Sequence, residues 1–410
     1  MERKKNLKFI WISSFGQLVE IRIREISKRL INRNITPIIL TYRTKRKKIL
    51  SKIDLEKDPY IFHLRNPFFI NFKSKYMKFL REIILRFTFF LNGMPLLYSD
   101  VKNLLKKDTN IKFIYATGPS FFTHILAYIL KRKFNLPLIV EYTDPWYRNP
   151  YKEGRIRWLE KKIDYIIEKQ ILNSADIIVS LSEFLNSIMK RNFPFIRNKS
   201  IYSIEDGLNL QEITQVKEIE EKRIIITYTG TIYGRRNIIP LFKVISQLKK
   251  ENFFENVAIL IKIYGKYPKS TFEKLIKKLN IEELFYLGDF LPRSEIIEEI
   301  KKCDLALHIG ENLDYPTIAF KVWEYFSCRK KILFFNLEHS YRSSFIRENN
   351  LGVVIPINNL KKGKKILEEL LLDIKNNRFN TLIDDSLLQK FTWENRVESF
   401  INNVINNVKL

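Results

Sequence analysis

Two polar turns and one basic loop hold the residues best placed to do chemistry in this chain. Residues 113–146, FIYATGPSFFTHILAYILKRKFNLPLIVEYTDPW, read as strand, Gly-Pro turn, helix, strand and a final turn carrying Asp144. The runs FIYA and LPLIVEY are short, β-branched and aromatic, as buried parallel strands are. Between them Phe121, Ile125, Leu126 and Ile129 recur at helical spacing, which predicts an amphipathic crossover helix. Both strands then end on one edge of a parallel sheet. They deliver Gly118-Pro119-Ser120 and Asp144-Pro145-Trp146 to the carboxyl edge, where open α/β sheets bind ligands. Asp144 has little packing reason to stand at such an edge; it suits a ligand or reacting group, or else an N-cap or Asx turn. The third segment, TGTIYGRRN, runs from a strand end into a helix. Gly230 and Gly234 permit a tight turn, and a helix start presents unpaired N–H groups to an anion. Arg235 and Arg236 add permanent charge in a planar fork suited to diphosphate oxygens, or simply make a solvated basic turn.

The elements that must position these residues alternate. KFIWIS, a helix at 18–32 and TPIILTY open the chain, with Gly16 at the first strand-to-helix junction. The 113–142 unit follows, then a charged helical stretch at 154–173, the strand ADIIVSLS, the helix FLNSIMKRNF and a last strand in SIYSIEDGLN. QEITQVKEIEEKR is polar and free of large aromatics, as an interdomain linker is. The alternation then restarts with RIIITYTG and VAILIKIYG and continues through LFYLGDF and DLALHIG, with helices from Ile238, Ser270 and Arg293. Such βα alternation predicts doubly wound parallel sheets. At 410 residues, two domains are the natural division.

Strand, TGP, a following His and a strand ending in DPW resemble the amino-terminal domain of retaining GT-B glycosyltransferases of the family 4 (group 1) type. YTGTIYGRRN, YLGDFLPRSEIIEEIKKCDLALHI, FKVWEYFSCRKKILFF and the closing FTWENRVESFI resemble the same family in its order; residues 42–107 match it poorly. The resemblance implies two Rossmann-like domains facing across a cleft. Their expected bounds are 1–208 with a basic aromatic insert near 42–107, a linker at 209–222, a nucleotide-sugar domain at 223–390, and a helix at 391–410 returning to the first domain.

It also implies roles for single residues. Glu324 resembles the family's ribose ligand, since a carboxylate accepts two hydrogen bonds from a vicinal diol. Its usual partner acid eight residues earlier is replaced by Pro316, and Lys321 falls near the phosphate in this reduced form. Thr231 stands where the family has Arg, and Arg236 where it has Lys; with Gly230 and Arg235 these residues form the expected donor-diphosphate site. Gly16, Gly118 and Ser120 are placed in the cleft by the resemblance, and Asp144 and His124 at the chemistry. His124 matches the family's His, and the helix start should keep it neutral; a structural His is the plainer reading. The implied activity moves a hexosyl group from a nucleotide sugar to a glycan or lipid-linked acceptor in surface-polysaccharide synthesis, with retention. The alternatives are a non-catalytic membrane- or polyanion-binding relative and a GT-B sugar-nucleotide epimerase.

Several classes are excluded. No Asp-x-Asp follows an apolar strand, so the metal-dependent GT-A mode has no support, and no cofactor or metal is expected. There is no P-loop or G-x-S-x-G, and the four His are scattered. Cys303 and Cys328 offer no disulfide framework or zinc spacing, which fits a reducing cytosol. The start MERKKNLKFIWISS mimics a signal peptide, but FIWI is too short for an apolar h-region. A cytoplasmic protein is the expectation. The 45% hydrophobic and 13% aromatic content excludes wholesale disorder.

The formal charge is +27, and residues 41–107 hold 16 Lys or Arg against 5 Asp or Glu. Such a concentration attracts polyanions. At 72–91, Phe72, Tyr76 and Phe79 share an apolar helical face, bordered by Lys73, Lys75, Lys78 and Arg81. That pattern suits the interface of an anionic membrane, hence peripheral attachment to the inner face of the cell membrane; a helix packed on its own domain is the alternative. Nucleic acid is not an expected partner, because no recognition module is present.

Overall fold

The computed structural model describes residues 7–14, 17–42, 61–64, 94–108, 110–118, 121–149, 157–210, 223–232 and 236–409. The chain divides into two compact units, Met1–Glu205 with Arg396–Leu410, and Asp206–Asn395. Residues 211–222 of the expected linker, the helix expected at 72–91 with its seven proposed membrane residues, and Gly16, Ser120, Gly234 and Arg235 lie outside the described residues.

The first unit carries β1 (Leu7–Ser14), α1 (Gln17–Ile31), β2 (Ile35–Tyr42), β3 (Ile61–Leu64), α2 (Met94–Lys107), β4 (Ile111–Thr117), α3 (Phe122–Phe134), β5 (Leu138–Tyr142), α4 (Arg157–Ser174), β6 (Ile177–Ser180), α5 (Glu183–Asn192) and β7 (Ser200–Ser203). The strands form one sheet in the order β3-β2-β1-β4-β5-β6-β7, and every pairing is parallel. The stretch read as an insert therefore supplies two ordinary parts of this unit. β3 is an edge strand on β2, and α2 sends Val101 and Leu105 into the core. β4 and β5 are buried along almost their whole length, as strands covered on both faces must be. Phe400, from the carboxy-terminal part of this unit, stacks on Trp11 with centroids 6.4 Å apart.

The second unit holds β8 (Ile224–Thr229), α6 (Ile239–Lys250), α7 (Phe253–Asn256), β9 (Ile259–Tyr264), α8 (Lys269–Lys278), β10 (Phe285–Leu287), α9 (Arg293–Lys302), β11 (Leu305–Ile309), α10 (Phe320–Ser327), β12 (Ile332–Asn336), α11 (Tyr341–Glu348), β13 (Gly352–Pro356), α12 (Leu360–Lys375) and α13 (Asp385–Gln389). Its sheet is parallel in the order β10-β9-β8-β11-β12-β13. Both orders reverse direction once, between β1 and β4 and between β8 and β11. Such switch points open a crevice at the carboxyl ends of the strands. Gly118 follows β4, and Gly230 follows β8, so the sequence motifs sit at the switch points.

One close approach fixes the second switch point. Gly265, after β9, has φ +134°, and a Cβ there would lie 2.1 Å from the Gly230 carbonyl oxygen. Only glycine fits. Both cysteines are buried, which pushes their thiols up to about 12 for Cys303 and about 11 for Cys328. No described helix is long and apolar enough to cross a membrane.

Candidate functional site

In the first unit the two turns are tied to each other. Thr143 donates its hydroxyl to the Gly118 carbonyl at 3.1 Å, and the Gly118 amide donates to the Glu141 carbonyl at 3.0 Å. Trp146 stacks on Phe121 at 4.6 Å with planes 3° apart, and its Nε1 donates to Asp164 of α4 at 2.7 Å. The Tyr147 amide donates to buried Glu168 of the same helix at 2.7 Å. The turn is thus held from behind, with half-buried Asp144 at its head.

His124 lies inside this assembly and is 0% exposed. Its Nε2 is 3.0 Å from the Glu141 carbonyl, which can only accept, so Nε2 carries the proton. Nδ1 faces the Thr123 hydroxyl at 3.2 Å, whose other neighbour is the Thr117 carbonyl at 2.9 Å. Burial drives the imidazole pKa down to about 3. The ring is neutral as expected, but burial supplies the cause rather than the helix start. Its polar contacts are with the Thr123 hydroxyl and the Glu141 carbonyl.

Beneath them lies a buried ion pair that the sequence motifs did not reveal. Arg22 of α1, 2% exposed, donates to Glu141 Oε1 from Nε at 3.0 Å and Nη2 at 2.6 Å. It also donates to the carbonyls of Ile204 and Glu205. The other oxygen of Glu141 accepts from Thr117, which accepts from the Trp11 indole at 2.7 Å. Five parts of the unit meet at this pair. An acid inside the apolar run LIVEY was the available signal.

In the second unit, Lys321 is on the first turn of α10, a helix whose N-cap, Ala319, offers no side-chain bond. Its Nζ donates to the Tyr228 hydroxyl at 2.7 Å and to the Thr229 carbonyl at 3.2 Å. A Cβ on Gly230, itself at φ +112°, would sit 3.4 Å from that Nζ. Burial, and then the nearby cations Arg236 and Arg342, hold Lys321 well below the usual lysine pKa. A lysine at a helix start already opposes the helix dipole. Arg236 and Arg342 add positive charge around it while Glu324 and Glu311 pull the other way, which leaves a modest cationic excess that an anion would relieve.

The arginine that the sequence offered to a diphosphate is partly committed. Arg236 Nη1 donates to the Thr231 carbonyl at 2.8 Å, and its Nε is 3.7 Å from Glu311. Thr231 contributes its backbone there. Arg342, 8% exposed, donates Nε to the Thr317 carbonyl and lies over the Tyr315 ring at 4.9 Å. Neither Glu311 nor Arg342 was picked out from the sequence; only folding brings them beside Arg236 and Lys321.

Glu324 lies one helical turn beyond Lys321. Its Oε1 accepts from Arg293 Nε at 2.9 Å. Burial raises its pKa, against the pull of Arg293 and Lys321. Below, the Tyr325 hydroxyl donates to the Leu307 carbonyl and accepts from the Thr229 amide, which fixes α10 on β8 and β11. Among the described residues, no three His, Cys, Asp or Glu side chains converge as a metal site would require.

Residues 210–381 match the family model described as glycosyl transferases group 1. None of the curated proteins matches the chain. Among solved structures, a sucrose-phosphate synthase from Thermosynechococcus elongatus is similar over 97% of this chain and 98% of its own, at 14% identity and a TM-score of 0.69. The apo lipopolysaccharide outer core galactosyltransferase WaaB aligns with 98% of this chain and 100% of its own, at 11% identity and a TM-score of 0.65. A variant of S. aureus TarM, in complex with Fondaparinux, alpha-GlcNAc-glycerol and UDP, aligns with 97% of this chain and 99% of its own, at 13% identity and a TM-score of 0.61. At these identities the likeness defines the fold, which is GT-B: two Rossmann-like, doubly wound parallel units. The segment matching the group 1 model contains the Gly230, Lys321 and Glu324 cluster.

Proposed function

We propose that this chain is a glycosyltransferase that takes a hexosyl group from a nucleotide sugar and delivers it to a glycan or lipid-linked acceptor, with retention of configuration. The observation that carries the reading is the positive charge gathered at the uncapped start of α10. Lys321, Arg236 and Arg342 meet there beside a glycine turn, inside the segment that matches group 1 glycosyl transferases. A nucleotide-sugar diphosphate is the anion that fits this charge and this family match. The TarM variant binds UDP, and WaaB is a galactosyltransferase of the lipopolysaccharide outer core; both agree with a donor nucleotide and a surface-glycan acceptor here.

In this reading Lys321, Arg236 and the α10 start stabilise the diphosphate as it departs, the task that a metal ion performs in other sites. Glu324 receives the ribose hydroxyls, with Arg293 holding its other face. Gly230 leaves room for the phosphate beside Lys321. In the first unit, Asp144 orients the acceptor or the transferred sugar, and His124 keeps its turn in place.

Two outcomes test these roles. Glu324→Ala removes a charged acceptor, a loss of roughly 1.5–3 kcal/mol, so nucleotide affinity measured by calorimetry should fall at least about tenfold. Unchanged affinity removes Glu324 from the site. Asp144→Asn should lower turnover far more than donor affinity, because its interaction matters mostly in the transition state. A variant that loses thermal stability yet turns over normally when folded would make Asp144 a turn cap. Donor hydrolysis or transfer by the wild type separates an enzyme from a pure binder.

A further inference from the structure

We propose that the outer face of α4 docks the protein on an anionic lipid bilayer. Trp158 is 72% exposed, Ile166 47% and Ile163 38%, the largest run of exposed apolar side chains on any described helix of the first unit. Exposed Lys162 and Lys169 stand among them. At 3.6 residues per turn, these five positions fall on one continuous arc. The two acids of α4 with described side chains, Asp164 and Glu168, are turned inward, where they accept from the Trp146 indole and the Tyr147 amide. The arc is left with apolar and cationic side chains and the neutral Gln170 and Asn173, and no described acid.

That combination selects the occupant. The cores of protein interfaces favour Trp but are depleted in Lys, whereas a bilayer surface takes both. Indole and aliphatic groups settle at the headgroup boundary while lysines meet anionic headgroups. The chain's charge of +27 adds long-range attraction to the same partner. The face also has a mechanical link to the site. The inward side of α4 props the Asp144 turn, so lipid bound to this helix lies on the reverse of the element that positions that turn.

Intrinsic fluorescence of the full chain tests the docking directly. Of the five tryptophans, Trp11, Trp146, Trp323 and Trp393 are at most 4% exposed, so a change in polarity on binding reports Trp158. With phosphatidylglycerol vesicles the emission should shift to the blue, brominated lipid should quench it, and the protein should co-sediment. Pure phosphatidylcholine should do little. Trp158→Phe should erase the spectral change while leaving sedimentation largely intact. Lys162→Glu with Lys169→Glu should weaken vesicle affinity by roughly tenfold or more, and exposed side chains can be changed this way without unfolding the protein. Failure to bind phosphatidylglycerol vesicles, sedimentation with unshifted Trp158 emission, or undiminished binding by the double lysine variant would each overturn the proposal. Nucleotide binding by the second unit is read separately, so either reading can fail alone.

Discussion

Lys321→Met should weaken binding of a nucleoside diphosphate by about 10- to 100-fold, the range set by losing a hydrogen bond to a charged group. Methionine keeps most of the aliphatic stem, so the change removes charge more than packing. Transfer should fall further than binding, because negative charge on the departing diphosphate grows in the transition state; removing one such donor typically costs about 10²–10³ in turnover. The pH dependence has a definite sign. Burial and two neighbouring arginines depress the Lys321 pKa in the free protein. A bound anion favours the protonated amine and raises that pKa, so binding takes up a proton. Affinity should therefore be full below the free-protein pKa and decline as pH rises through it. Lys321→Arg keeps the charge and should flatten the dependence. Affinity that is unchanged in Lys321→Met would mean that the cation cluster holds some other group.

Glu141→Ala should destabilise the first unit by about 3–5 kcal/mol, because Arg22 would be left buried without its counter-charge. For a unit of this size that corresponds to a fall in Tm of roughly 10 °C. Thermal unfolding followed by circular dichroism measures it. The paired replacement Arg22→Met with Glu141→Met removes both charges and should recover part of the loss, since a buried pair often contributes little over apolar residues of similar size. A double variant as unstable as the single one would show that Arg22 matters chiefly through the Ile204 and Glu205 carbonyls. Because Glu141 also offers its carbonyl to His124 and Gly118, residual activity of the folded variant tells whether its side chain does more than hold the sheet.

What the sequence disclosed and what it hid follow from the range of the interactions. β4, β5, β8 and β11 announce themselves as continuous apolar runs, because a strand covered on both faces has no polar period to blur it. The turns at Gly118, Asp144 and Gly230 were legible because each directly follows such a run. β3 was not, since four residues among many basic ones carry no pattern and gain their identity only by pairing with β2. Glu141 looked like one polar residue in a strand, and its partner stands 119 residues earlier in the chain. Arg236 was recognised as a cation, but its hold on the Thr231 carbonyl and its approach to Glu311 are products of folding. His124 was expected to be neutral through a helix start, whereas full burial does that work.

The most direct measurement is a calorimetric titration of the full chain with a panel of nucleoside diphosphates, in buffer containing EDTA. Saturable binding of at least one of them is predicted without added metal, weakened at least about tenfold by Glu324→Ala and about 10- to 100-fold by Lys321→Met. No binding to any member of the panel, or binding that both variants leave unchanged, would contradict a donor-diphosphate site at the start of α10.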